Sequence, residues 1–214
     1  MYRPPAFRED RVDVLCDAIR AHPLGLLITA GPAGLMANPV PFTMARRPAG
    51  DVLCAHLAKA NEQVLDLRIG MPVLVVFQGP QAYVTPSWYA SKREHGKVVP
   101  TWNYVIVQAR GTPRVIDDPE WIGWQIGELT EVHEASRPDP WAVEDAPAPF
   151  VQAQLKGIVG LEIPVERLEG KWKASQNRAE MDRAGVAGGL RDEGHAELAS
   201  LVAARPSPRA ARSQ

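Results

Sequence analysis

The residues best able to do chemistry lie near the C-terminus, in Gly170-Lys-Trp-Lys-Ala-Ser-Gln-Asn-Arg178. Read as a strand, the stretch puts Lys171, Lys173 and Ser175 on one face, with Gln176, Asn177 and Arg178 following at its end. Cationic and uncharged donors concentrated in this way suit an anionic ligand, because charge-assisted hydrogen bonds are the strong ones. A second reading competes. Asn177-Arg-Ala-Glu180 has capping-box spacing, in which Asn177 would accept from the next helical turn and Glu180 would reach back. A strand-to-helix junction would account for the Asn and the Glu, but not for two lysines, an arginine and two further polar side chains arriving together.

Two other stretches carry candidate donors. His56 lies in "VLCAHLAKANEQ", at the end of a predicted strand and before a helix whose N-cap is read as Asn61. A helix start beside His56 and Lys59 is physically a phosphate-binding arrangement, although every strand-to-helix junction offers some free N–H groups. In "VVPTWNY" a strand would place Thr101 and Asn103 on one face and Trp102 and Tyr104 on the other. The plain alternative puts the aromatics in a core or interface and leaves Thr101 and Asn103 exposed. "TPSWYASK", residues 85–92, adds a Trp and a Tyr that would cover a flat ligand or fill a gap. Nucleophilic catalysis finds little support: no serine sits in GxSxG, and no GxGxxG or GxxxxGK[ST] loop occurs. Glu128 and Glu131 read as a charged helix face. Chemistry here would belong to a cofactor.

The elements that must position these groups follow from pattern. The chain has 214 residues, 45% of them hydrophobic, enough for a full core. No run of about 18 apolar residues exists and the start lacks a secretory segment, so a cytoplasmic protein without a membrane span is expected. Cys16 and Cys54 are expected in the core, and the five histidines show no metal-ligand spacing. "REDRVDVLCDAIRAHP" predicts an amphipathic helix over 8–21, stopped at Pro23. Short strand-like runs follow at 24–30, 35–45, 51–58, 71–79 and 81–86, interrupted by a short helix after Asn61, and then a long run over 98–116 bent at Gly111-Thr-Pro113. Runs so closely spaced favour antiparallel pairing. Asp118-Pro119 opens a second helix over 118–135, a short helix is expected near 150–155, and a final strand runs from Ile158 into the C-terminal motif. The reading is α+β: an antiparallel sheet, plausibly a barrel, with flanking helices. It forms a single domain over 1–205, followed by a disordered basic tail over 206–214.

With those residues in place, the sequence resembles the PaiB-type family, described as FMN-binding negative transcriptional regulators. The resemblance rests on "MYRPPAF" at the start, "HLAKANEQ" at 56–63, "VFQGPQAYVTPSWYASK" at 76–92, "GKVVPTWNY" at 96–104 and "EGKWKASQNR" at 169–178. The family commonly has Leu where this chain has Ala174, a change of packing that leaves the polar cluster intact. The resemblance implies an antiparallel split β-barrel related to pyridoxamine-phosphate-oxidase-like flavoproteins, with FMN at a homodimer interface. Under that implication His56, Lys59 and Asn61 are phosphate-side candidates, and Thr101, Trp102 and Asn103 line the flavin. Lys173, Ser175, Gln176, Asn177 and Arg178 close the pocket, in the same subunit or the partner.

Three function classes stay open at this level: a flavin-dependent regulator or sensor, a flavin oxidoreductase or haem-handling protein on the same scaffold, and a dimeric interaction protein with a vestigial pocket. Direct sequence-specific DNA binding is doubtful. The formal net charge is −1, and the predicted helices do not form a helix-turn-helix pair.

Overall fold

The computed structural model describes residues 1–204; the tail expected over 206–214 lies outside the described residues. In chain order the elements are β1 (Arg8–Glu9), α1 (Val12–Ala21), β2 (Leu24–Gly31), β3 (Gly34–Pro41), β4 (Thr43–Arg47), β5 (Gly50–Ala58), α2 (Gln63–Ile69), β6 (Val73–Val84) and α3 (Ser91–His95). They continue with β7 (Thr101–Gly111), β8 (Arg114–Ile116), α4 (Pro119–Glu134), α5 (Ala148–Leu155), β9 (Ile158–Pro164), β10 (Arg167–Lys173), α6 (Glu180–Asp192) and α7 (Ala196–Ala204).

Most boundaries have local causes. The side chain of Asp118 accepts from Glu120 N at 3.0 Å and Pro119 opens α4, the start expected from the sequence. The first helix is shorter than its periodicity suggests, because Arg8 and Glu9 pair as a strand with Lys171 and Gly170. The run over 35–45 breaks at Phe42 into β3 and β4, whereas 71–79 and 81–86 join into the single strand β6. The strand expected from Ile158 onward divides into β9 and β10.

The described residues separate into two compact units, one built from residues 1–15, 78–107 and 169–204, the other from 16–77 and 108–168. In the first unit the strand order is β1-β10-β7-β6. Its core joins Ala82, Val84 and Tyr89 to Val186, Leu190, Leu198 and Val202 of the two C-terminal helices. The backbone and indole of Trp88 lie against two glycines of α6. A Cβ on Gly185 would stand 2.0 Å from the Trp88 carbonyl oxygen, and one on Gly189 would stand 2.2 Å from the indole. Asp182 on α6 accepts from both the backbone N–H and the hydroxyl of Ser91, at 2.9 and 2.7 Å. The C-terminal helices therefore hold the "TPSWYASK" segment by close fit and by hydrogen bonds.

In the second unit the strands run β6-β2-β3 and β4-β5-β9-β8, with every paired register antiparallel. Leu53, Ala55, Leu161 and Ile163 are buried along β5 and β9, and α4 buries Ile122 and Gln125. Cys16 and Cys54 are both buried and free, as expected of small core residues.

Candidate functional site

In the first unit, β10 and the turn after it meet the start of β7. Lys173 donates through Nζ to Thr101 Oγ1 and, at 2.5 Å, to the Trp102 carbonyl. Asn103 is buried at 1% exposure, and its amide donates to Ser175 Oγ at 2.9 Å. Trp102, by contrast, is 53% exposed and stands edge-on to Tyr83 with ring centroids 6.2 Å apart. The plain alternative for "TWNY" fails at Asn103, which is buried and not exposed, while Trp102 stands outside the core, where an interface could use it. Asn103 faces inward because Ser175 satisfies it, and a buried amide without such a partner would be costly.

The turn after β10 is built around side chains. Ser175 is the single non-glycine residue with positive φ among the described residues, at 58°, and it is buried. That left-handed conformation is unfavourable for a side-chain-bearing residue, and here the Asn103 bond helps hold it. Gln176 is also buried: its amide donates to Trp172 O and its Oε1 accepts from Ala174 N at 2.7 Å. Gln176 therefore braces the turn from within. Asn177 is exposed, and α6 begins with Ala179 as N-cap and no side-chain cap bond. The capping-box alternative is not what the motif forms, since Asn177 stands two residues upstream of that N-cap.

Three cations surround this turn. Lys171 lies over the rings of Tyr2 and Tyr104 at 5.5 and 5.3 Å, Lys173 over Tyr104 at 5.9 Å, and Arg178 over Tyr89 at 4.8 Å. Among the described residues none of the three is in an ion pair, whereas nearby Glu169 is engaged by Arg3 and the N-terminal amine. Burial, then the charges of Lys171 and Arg178, push the Lys173 ammonium below its ordinary pKa. Tyr89 is buried, its hydroxyl has no hydrogen-bond partner among the described residues, and burial raises its pKa. The arrangement is short of negative charge and rich in donors and aromatic faces.

The other sequence-predicted residues lie in the second unit. His56, half-buried on β5, bonds through Nδ1 to Gln125 Oε1 at 2.7 Å; Gln125 is fully buried and its Nε2 has no partner among the described residues. Lys59 donates to the Lys156 carbonyl at 2.8 Å, and Asn61 Oδ1 accepts from Gln63 N at 3.0 Å. The N-cap of α2 is Glu62, which makes no side-chain cap bond, so Asn61, expected as the N-cap, stands one residue upstream and bonds to the first residue of a helix of seven.

Gln63 is the residue that sequence reasoning missed. It is fully buried; its Nε2 donates to the Leu27 carbonyl at 3.0 Å and to Thr29 Oγ1 at 3.3 Å, while its Oε1 accepts from Asn38 at 3.1 Å. Thr29 in turn donates to Asp66 at 2.8 Å. The one sequence signal was its place at the end of "HLAKANEQ", since a glutamine in a helix's first turn is ordinarily exposed.

A family model described as "Putative FMN-binding domain" matches residues 1–167. The chain is similar to an uncharacterized protein of Emericella nidulans, 35% identical over 230 residues that cover 91% of this chain and 92% of that one. It is also similar to Protease synthase and sporulation protein PAI 2 of Bacillus subtilis, 30% identical over 193 residues and 90% of each chain. Among solved structures, the FAD and heme binding protein from Mycobacterium smegmatis aligns with TM-score 0.59 at 17% identity, covering 78% of this chain and 73% of that one. The flavocytochrome Anf3 from Azotobacter vinelandii aligns with TM-score 0.58 at 13% identity, covering 86% and 78%. At such identities the structural likeness speaks for the fold, and the α+β, antiparallel split-barrel class read from the sequence is borne out.

Proposed function

The chain belongs to the FMN-binding domain family, and on that premise we propose that it is a homodimeric, FMN-dependent regulator or sensor of the PaiB type. The observation that carries the reading is the group Lys171, Lys173 and Arg178: three cations outside any ion pair among the described residues, set against aromatic rings beside a turn pinned by Asn103 and Ser175. Such a donor set fits the phosphate or the anionic edge of a flavin. Lys173, Asn177 and Arg178 would hold the anion, with Thr101 and Trp102 beside it. Ser175, Gln176 and Asn103 keep the turn in shape. His56, Lys59 and Asn61 are the phosphate-side candidates of the second unit.

FMN, when bound, supplies one- and two-electron chemistry at its ring. The chain's own contribution is binding and electrostatics. Burial first, and then repulsion from Lys171 and Arg178, depresses the Lys173 pKa, and a bound anion would offset the repulsion and raise it. The Bacillus subtilis relative is named for protease synthase and sporulation, a name of control more than of one reaction, which supports the regulatory half of the reading.

The test is flavin titration of the purified protein and of Lys173→Ala and Arg178→Ala, with the visible spectrum distinguishing flavin from haem. Loss of one charge-assisted hydrogen bond corresponds to roughly a 10- to 150-fold weaker FMN affinity. Wild-type affinity in both variants would remove this motif from the site.

A further inference from the structure

A pocket of about 600 Å³ opens in the second unit beside the β4–β5 hairpin, walled by Arg47, Asp51, Arg114, Trp121 and Glu162. Glu162 is buried on β9, with Cys54 of β5 and Arg114 of β8 as its cross-strand neighbours. Its carboxylate is shared. Arg114 binds Oε2, while Oε1 accepts from the Trp121 indole at 3.1 Å and has Arg47 Nη2 at 3.6 Å. The Arg47 guanidinium also lies 5.0 Å over the Trp124 ring. Asp51 is accounted for separately, by Arg46 at 3.7 Å and by the Cys16 thiol.

With Arg46 pairing Asp51 from outside the pocket, the single carboxylate of Glu162 faces the two guanidiniums of Arg47 and Arg114. Each guanidinium carries five N–H donors, so Arg47 and Arg114 keep donors beyond those used on Glu162. Their side chains are 42% and 67% exposed, which leaves both heads reachable from solvent. Glu162 also holds together two like charges that would otherwise repel, so the pair is already in place before anything binds. The remaining wall, with Val52, Pro164 and the Trp121 ring, is apolar.

We propose that this pocket is a second ligand site, for a small organic anion carrying a carboxylate or phosphate on a flat apolar body. The two guanidiniums meet the anionic group, and the Trp121 ring with its apolar neighbours meets the body. This site is distinct from the His56 group on the same strand: Asp51 and His56 are five residues apart on β5, roughly 17 Å along an extended chain.

The experiment titrates the full chain with benzoate and, separately, with inorganic phosphate, following tryptophan fluorescence with and without saturating FMN. The expected result is saturable benzoate binding, tighter than phosphate and unchanged by FMN, that weakens roughly 10- to 150-fold in Arg47→Gln. That variant leaves Glu162 paired with Arg114 and Trp121. Should it not fold, the neutral triple variant Arg47→Gln, Arg114→Gln, Glu162→Gln is expected to fold, because no buried charge is left unpaired, and to lose benzoate. The proposal is overturned by absence of saturable benzoate binding, by phosphate binding without benzoate, by displacement of benzoate by FMN, or by wild-type affinity in the folded variant.

Discussion

At the scale of single residues, the polar groups that matter are mostly the buried ones, and each is held by a named partner: Asn103 by Ser175, Gln176 by Trp172 and Ala174, Gln63 by Leu27, Thr29 and Asn38. Cys54 is the counterpart whose ionised form the site disfavours. Burial first, and then the Glu162 carboxylate, push its thiol pKa up from 9.0 to about 11. The folded state therefore holds this proton more tightly than the unfolded chain. Its stabilising contribution is complete below pH 9 and is lost as pH rises toward 11. A two-unit gap is worth about 2–3 kcal/mol. Tyr89, also raised, acts in the same sense, whereas Lys173, lowered by burial and its cationic neighbours, acts in the opposite one. Comparison with Cys54→Ala isolates the thiol: urea midpoints at pH 8 and pH 10.5 are expected to differ less in the variant than in the wild type. Equal alkaline losses in both would rule out Cys54 as a source of the slope.

At the scale of elements, α6 shows how spacing of small residues sets a helix against its neighbour. Gly185 and Gly189 face Trp88, whereas an added Cβ on Gly188 would meet nothing within 4 Å. Alanine favours a helix over glycine by up to about 1 kcal/mol, so the three positions should separate by sign. Gly188→Ala should stabilise by roughly 0.5–1 kcal/mol. Gly189→Ala pushes into the indole and should destabilise by about 1–3 kcal/mol. Gly185→Ala meets a backbone carbonyl that cannot swing aside, and should cost at least as much. Thermal unfolding of the three variants decides the order, and stabilisation at Gly185 would contradict the docking of α6 on Trp88.

At the scale of the whole molecule, two expectations concern partners. Trp102 and Tyr83 form an exposed aromatic pair, 53% and 47% exposed, and Val99 is 63% exposed, which is apolar surface of the kind that interface cores use. Sedimentation at micromolar concentration with FMN present should therefore give a dimer; a monomer would contradict the two-subunit reading. Operator-specific DNA binding is not expected at physiological salt, because the formal net charge is −1 and α4 carries Glu120, Glu128, Glu131 and Glu134. Titration against the protein's own promoter region and a scrambled duplex checks this. Nanomolar affinity with a preference of about a hundredfold or more would belong to a specific DNA-binding protein and overturn that expectation.

Local chemistry carried much of the fold. Asp118-Pro119 announced α4, the closely spaced strand-like runs announced antiparallel pairing, and the residues from Lys171 to Arg178 announced a turn crowded with donors, because each depends on neighbours in the chain. Helix α6 was legible only as the junction that capping-box spacing allowed after Asn177: "AGVAGGLRDEG" reads as a poor helix, and glycine is favoured at Gly185 and Gly189 because Trp88, about a hundred residues earlier, lies against the helix. Nor could the sequence say that Asn103 turns inward while Trp102 turns out, since that choice depends on Ser175 arriving from β10 to satisfy the amide. Gln63 and Glu162 are of the same kind. A lone polar residue in sequence reads as surface, and only long-range pairing, with Leu27, Thr29 and Asn38 in one case and Arg47, Arg114 and Trp121 in the other, makes its burial affordable.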